Sequence, residues 1–233
     1  GGLLDRDGRI ISAISLTNDY RALMDQPWVH SGMRLKLQQI NELLNGLEPS
    51  ASVSITSADK LTRELFTYRG AGTLVRRGEE VVVHEAADAA TLAQAASRIE
   101  SSFGRGLRAD WAQGLRAPLV LLSESARAAA VVVEGLEGIP YLDKFAVTPD
   151  AQGEGLGAAM WQVLRARYPR LYWRARTANP IASWYFQQCD SADRQGPWVV
   201  FTVGVEDARL RAQLVEDALG RDSGWSDPEG VES

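Results

Sequence analysis

Apolar positions along this chain recur at two spacings, every second residue in some stretches and every third or fourth in others, and the switches between them mark out its elements. "GRIISAISL" predicts a strand and "NDYRALMDQ" a short helix capped by Asn18. "HSGMRLKLQQINELLNGL" predicts a longer helix, because Met33, Leu37, Ile40, Leu43 and Leu44 fall at helical spacing and Asn45 and Gly46 supply a stop. "ASVSITS" alternates as a strand, and "ADKLTRELFT" reads as a helix closed by "YRGAG". Up to about Gly78 the order is strand, helix, helix, strand, helix, an α/β pattern that starts in mid-stride and reads as the tail of a domain.

From Glu79 the pattern restarts. "EVVVHEAA" is a strand, "DAATLAQAASRIESSF" a helix capped by Asp88, and "ADWAQGL" a short helix. "APLVLLSESARAAAVVVEGL" is two apolar runs about a polar turn, hence a hairpin. The strand "YLDKFAV", a glycine-punctuated loop with its helix, the strand "LYWRAR", the helix "PIASWYFQQC", the strand "PWVVFTVG" and a polar helix from Glu206 to Leu219 follow. The predicted organisation is α/β throughout, with a first unit over residues 1–78, a second over 79–220 and an acidic, frayed tail over 221–233.

Composition narrows the chemistry. A net charge of −5 signals no broad basic face, which disfavours nucleic acid. Cys189 is the single cysteine, and His30 and His84 lie far apart with no cysteine beside them, so no structural zinc set is expected and no metal is assigned. No apolar run reaches membrane-spanning length and the chain opens on neither a basic leader nor an apolar signal core, so the expected setting is cytoplasmic. The absence of an initial methionine, and a first strand met almost at once, lead to the expectation that this is a fragment of a longer chain.

Two constellations carry candidate chemistry. Gly153, Gly155 and Gly157 stand at alternate positions where a helix begins. A helix start presents unpaired N–H groups and partial positive charge, a socket for an anion such as a phosphate. The other reading is a tight strand-to-helix turn. Downstream, Arg174 and Arg176 share one face of a strand. With Lys144 on the neighbouring strand and the amide of Asn179 they suit a small substrate with two carboxylates, or else the arginines pair with surface acids such as Asp143 and Glu134. Tyr185 in "WYF" is a candidate proton donor or an aromatic packing residue, Glu124 and Glu134 are candidate bases acting through water, and Cys189 reads as buried filler.

The spacing of Gln152, Gly155 and Gly157 after a strand ending at Val147 resembles the acetyl-CoA signature of the GCN5-related N-acetyltransferases, and the element order from Glu79 to Gly204 is similar to that fold. The resemblance implies a mixed, mostly antiparallel central sheet flanked by helices. It implies acetyl-CoA as cosubstrate, with its pyrophosphate on the amides of Gln152, Gly153, Gly155 and Gly157 and its pantetheine arm along Phe145 and Val147. "YLDKFAV", "QGEGLG" and "WRAR" followed by "NP" and "WYF" further resemble N-acetylglutamate synthase of the vertebrate-like type, a family that includes bifunctional bacterial synthase/kinases. By that resemblance Lys144, Arg174, Arg176 and Asn179 bind L-glutamate, Tyr185 protonates the departing CoA thiolate, and the product belongs to arginine biosynthesis.

"QPWVHSGMRLKLQQINELL" and "SVSITSADKLTRELFTYRGAGTLVRRGE" resemble the C-terminal end of the family's amino acid kinase domain. Lys36 then matches a lysine that stabilises the transferring phosphoryl group, and Glu64 and Gly70 match positions that contact an arginine effector, beside the plain readings of a helix-face carboxylate and a helix-ending glycine. The N-terminal lobe of that domain is expected to be missing, so ATP and kinase activity are expected only of a full-length parent, itself a homo-oligomer. The competing expectation is a catalytically silent acetyltransferase-like module that regulates a kinase. Retention of the loop, three cations, asparagine and tyrosine favours the enzyme.

Overall fold

The computed structural model describes residues 2–11, 13–47, 51–58, 72–152 and 155–226. They form two compact units, Gly1–Glu80 with Gly153–Ala159, and Val81–Gln152 with Met160–Ser233. Among the described residues no helix is long and apolar enough to cross a membrane.

In the first unit β1 (Ala13–Ser15), β2 (Ser52–Ile55) and β3 (Thr73–Arg76) make a sheet in the order β1-β3-β2, with β1 parallel and β2 antiparallel to β3. The central strand β3 was not among the expected elements. Helix α1 (Leu16–Met24) starts at an N-cap on Ser15 rather than at Asn18, because the Asp19 carboxylate reaches back to accept from the Ser15 N–H at 2.8 Å. Helix α2 (Ser31–Asn45) ends at Gly46 as its sequence predicts. It buries Leu37, Ile40 and Leu44 against Leu3, Ile14, Leu16, Val29 and Val75, whereas Leu43 lies off that stripe and is 52% exposed. The helix expected in "ADKLTRELFT" lies almost wholly outside the described residues.

The second unit is built on a seven-stranded sheet in the order β4-β5-β6-β7-β8-β10-β9. Its strands are β4 (Val81–His84), β5 (Leu119–Ser123), β6 (Ala128–Val133), β7 (Tyr141–Val147), β8 (Leu171–Arg176), β9 (Ser191–Gln195) and β10 (Trp198–Val203). Every neighbouring pair is antiparallel except β7 and β8, which run parallel and register at a single position, Tyr141 opposite Tyr172. Beyond that residue the two strands part. The mixed, mostly antiparallel sheet is the one the sequence implied.

Helix α3 (Ala89–Phe103) is capped by the Asp88 side chain, which accepts from the Thr91 N–H, and α6 (Ala208–Gly220) by Asp207. Both pack Leu92, Ala95, Ile99, Leu214 and Ala218 into a core with Val120, Val131, Tyr141, Tyr172 and Val200. Helix α4 (Leu156–Arg167) lies between β7 and β8 in the chain, and α5 (Ala182–Gln188) between β8 and β9. Phe145, Trp161, Trp173, Trp184, Tyr185 and Phe201 form a continuous aromatic cluster with ring centroids 5.1–5.9 Å apart.

Residues 221–226, expected in a frayed tail, are held down instead. Trp225 bridges to Leu107 in antiparallel fashion, the Ser226 N–H donates to the Gly106 carbonyl at 2.9 Å, and Trp225 packs onto the core. A partly buried aromatic anchor outweighs the polar, acidic composition of its neighbours.

Candidate active site

The parting of β7 and β8 opens a cavity of about 400 Å³. Lys144, Arg174, Arg176, Asn179 and Tyr185, the residues that the sequence analysis assigned to substrate and catalysis, all line it. Its charged lining is four cations, Arg105, Lys144, Arg174 and Arg176, against two carboxylates, Asp143 and Asp222.

Lys144 reaches this site through an irregularity. The pairing of β6 with β7 shifts between Val131 opposite Lys144 and Val132 opposite Leu142, so Asp143 is an extra, unpaired residue. Strict alternation would send Asp143 and Lys144 to opposite faces, and the bulge lets both point the same way. The Lys144 ammonium is 2.9 Å from the Asp143 carboxylate, and the two side chains are 6% and 11% exposed. Trp111 Nε1 donates to the same carboxylate at 3.1 Å, and the indoles of Trp111 and Trp225 flank the ammonium at 5.8 and 5.4 Å. A charge so far removed from water needs such partners.

On the opposite wall Arg174 is held by partners other than Asp143 and Glu134. Asp143 is taken by Lys144, and Glu134 is an exposed partner of Arg116 at 3.5 Å. Arg174 donates to the carbonyls of Leu219 at 3.1 Å and Arg221 at 2.6 Å, so its guanidinium is held by backbone. Both arginines lie over the Trp198 ring, at 4.3 and 5.0 Å from its centroid, which gathers the two guanidinium groups beside one indole. The Asn179 Oδ1 accepts from the Ile181 N–H at 3.0 Å, a local turn that steers the chain into α5.

Tyr185 is buried in the aromatic cluster, 5.6 Å from Trp173 and 5.5 Å from Phe201 between ring centroids, and its face toward the cavity completes the lining. Burial pushes its phenol above the ordinary value, so it stays protonated across the physiological range. Packing and a proton-donor role are therefore compatible at this residue. Of the base candidates, Glu124 is exposed at the end of β5, and Glu134 lines a second cavity of about 640 Å³ rather than the first. Cys189 lies outside the cavity lining, and partial burial pushes its thiol up, away from nucleophilic character.

The residues implied in cosubstrate binding are placed as follows. Phe145 is buried and stacks on Trp184 at 5.8 Å, and the Val147 carbonyl accepts from the Ser102 hydroxyl at 2.8 Å and from Gln152 Nε2 at 3.4 Å. Gly155 has φ +83° and would have open space around a β-carbon, so in the protein itself glycine is required there by backbone conformation. The Ala159 N–H makes the first turn's bond to the Gly155 carbonyl at 3.0 Å, which leaves the N–H groups of Leu156, Gly157 and Ala158 without intrahelical acceptors. Gly153 lies outside the described residues, as do Glu64 and Gly70. Lys36 is exposed on α2.

Arg105, Trp198, Asp222 and Trp225 also line the cavity, though none was expected there. Trp198 was legible in principle, since it is a large aromatic opening a strand next to two strand arginines. Asp222 and Trp225 were hidden by the polar composition around them. Among the described residues no group of three or more His, Cys, Asp or Glu side chains is placed to hold a metal ion.

The model of the family described as the N-acetyltransferase of N-acetylglutamate synthase matches residues 80–221. Among relatives, the acetylglutamate kinase of Xanthomonas campestris pv. campestris is 45% identical over 210 residues, covering 88% of this chain and 49% of that protein. The mitochondrial N-acetylglutamate synthase of Danio rerio is 36% identical over 222 residues, 94% of this chain and 42% of the relative. The chain thus spans about half the length of the relatives it matches. Among solved structures, the N-acetylglutamate synthase of Neisseria gonorrhoeae complexed with coenzyme A and N-acetyl-glutamate aligns over 87% of this chain and 53% of its own, with 17% identity and a TM-score of 0.44.

Proposed function

The chain belongs to the N-acetyltransferase family of N-acetylglutamate synthase, and on that premise we propose that its second unit transfers the acetyl group of acetyl-CoA to the amine of L-glutamate, giving N-acetylglutamate for arginine biosynthesis. The observation that carries this reading is the gathering of Lys144, Arg174, Arg176, Asn179 and Tyr185 around one cavity at the parting of β7 and β8. Four cations against two anions favour an acceptor with two carboxylates, and a volume of about 400 Å³ is ample for a five-carbon amino acid.

Arg174 and Arg176, gathered over Trp198, present donors suited to bidentate carboxylate binding, and Lys144 offers a point charge in the same cavity. Acetyl-CoA supplies the activated acyl group as a thioester. The chain's own share is to bind and orient. The residues fit its diphosphate, since N–H groups of the first turn of α4 that have no intrahelical acceptor stand beside a glycine with open space at its α-carbon. Tyr185, which its burial keeps protonated, then donates its phenolic proton to the leaving sulfur. The acceptor ammonium loses two protons in becoming an amide: water carries the first away before attack, and the second, lost from nitrogen in the tetrahedral adduct, returns through water to the Tyr185 phenolate.

Kinase turnover, the activity in the names of the bacterial relatives, is proposed only of a longer, oligomeric protein working in the cytoplasm. There an arginine effector would act through the region of Glu64 and Gly70 and ATP would meet Lys36. The test of the synthase reading is CoA thiol release on mixing this chain with acetyl-CoA and each of a panel of amino acids. Release with glutamate well above every other amine is expected. Release with another amine and not with glutamate overturns the acceptor, and no release with any overturns the enzyme.

A further inference from the structure

The family match ends at residue 221, yet the wall of the acceptor cavity continues past it into Asp222, Ser223 and Trp225. We propose that residues 221–226 are a strap that closes this cavity, and that Trp225 on it is a specificity-determining residue for the acceptor. The inference rests on the synthase reading of the same site.

The strap is anchored at both of its ends and along its length. At its start the Arg221 carbonyl accepts from Arg174, one of the proposed substrate arginines. Asp222 pairs with Arg108 at 2.5 Å and accepts from the Gly224 N–H at 2.8 Å, turning the chain back toward α3. Gly224 sits at φ +75° with its α-carbon so close to Trp111 that a β-carbon would stand 2.4 Å from the indole, so the turn presses the strap against the residue that holds Asp143. Beyond it, the bridge of Trp225 to Leu107 and the Ser226 bonds to the Gly106 carbonyl fasten the far end.

These fastenings deliver one side chain to the cavity. The Trp225 ring lies 5.4 Å from the Lys144 ammonium, 5.1 Å from the Arg105 guanidinium and 5.1 Å from the Phe103 ring. It therefore does two things for a dicarboxylate acceptor. It keeps water from Lys144, which strengthens the attraction of that charge for a carboxylate, and its rigid indole sets how far the acceptor's side chain extends.

The test compares Trp225→Ala, Trp225→Phe and Arg108→Gln with the parent in steady-state acetyl transfer to glutamate, aspartate and 2-aminoadipate. For Trp225→Ala the KM for glutamate is expected to rise roughly tenfold or more, with the acetyl-CoA KM and kcat within about twofold. The preference for glutamate over 2-aminoadipate should narrow by a similar factor, a change that mere loosening of the fold does not produce. Trp225→Phe, which keeps a ring, should recover most of both. Arg108→Gln, which cuts the tether outside the cavity, should raise the KM for glutamate in the same direction and serves if Trp225→Ala fails to fold. Unchanged KM and preference in Trp225→Ala, or in Arg108→Gln where it stands in, overturn the strap while leaving the synthase reading intact. A parent that does not acetylate glutamate removes that reading and this proposal with it.

Discussion

Lys36 in the first unit and Lys144 in the second are both lysines with a proposed role toward an anion, and the structure treats them differently. Lys36 stands exposed on α2, where a lysine head is solvated by default. Lys144 is 6% exposed, paired with Asp143 and flanked by two indoles. Taking an ammonium out of water is expensive, and the chain meets that cost with a strand bulge, a carboxylate and an indole donor. The difference teaches that a charge carries functional weight in proportion to what the fold spends to keep it in place.

The sharpest way to break this comparison is to neutralise both lysines. Lys144→Met should lower kcat/KM for glutamate about 100-fold, the loss of one charge-assisted contact of about 2–3 kcal/mol. It should also destabilise the fold by about 3–5 kcal/mol, because Asp143 is left buried without its partner. Combining it with Asp143→Asn should restore much of the stability and none of the activity. Lys36→Met should leave acetyl transfer unchanged, and equal losses from the two variants in steady-state kinetics and thermal melts would erase the distinction.

Next in size is Arg176→Ala, which removes one arm of the arginine pair over Trp198. A loss of about 2 kcal/mol predicts roughly a thirtyfold fall in kcat/KM, through the KM for glutamate, with the acetyl-CoA KM unmoved. A parental KM for glutamate in this variant would remove Arg176 from carboxylate binding.

The fold was largely legible wherever apolar spacing was strong. The hairpin of β5 and β6, the Asp88 cap and the strand "YLDKFAV" stand where the pattern put them. Strand β9, "SADRQ", was not legible, because an edge strand paired only to β10 needs no apolar face. The four residues of β3 are too few to show a period, although their burial alternates. Within the site, Arg174 and Arg176 follow from alternation alone. The meeting of Asp143 with Lys144 does not, since a bulge suspends alternation and leaves no mark in composition. The strap escaped for a related reason: one anchoring tryptophan decides its fate while its neighbours read as loop.

A smaller effect concerns pH. Burial raises the phenols of Tyr141, Tyr172 and Tyr185, all in the second unit, above the ordinary value of 10.0. The folded state keeps protons that the unfolded chain releases once pH passes 10, so this contribution is complete below pH 10 and is lost progressively above it. Denaturant midpoints followed by the near-ultraviolet signal of the aromatic cluster should be flat on this account from pH 8 to 9.5 and fall by pH 11. A midpoint that holds at pH 11 would show the phenols are not shielded.

The smallest expected effect separates backbone from space at Gly155. Its φ of +83° disfavours any side chain, while a β-carbon there would meet nothing within 4 Å. Gly155→Ala should therefore cost only the conformational penalty, about 1 kcal/mol, a fall in melting temperature of about 2–4 °C. Asparagine tolerates a left-handed backbone better than alanine, so Gly155→Asn should recover part of that loss. If the open space receives the diphosphate of acetyl-CoA, both variants should nevertheless bind it on the order of tenfold more weakly, because each adds the same β-carbon where the phosphate oxygens approach. Calorimetric titration with acetyl-CoA, set beside the melts, reads the two quantities apart. Affinity that tracks stability, recovering in asparagine as the melting temperature does, would assign Gly155 to the turn alone and move the diphosphate elsewhere on the chain.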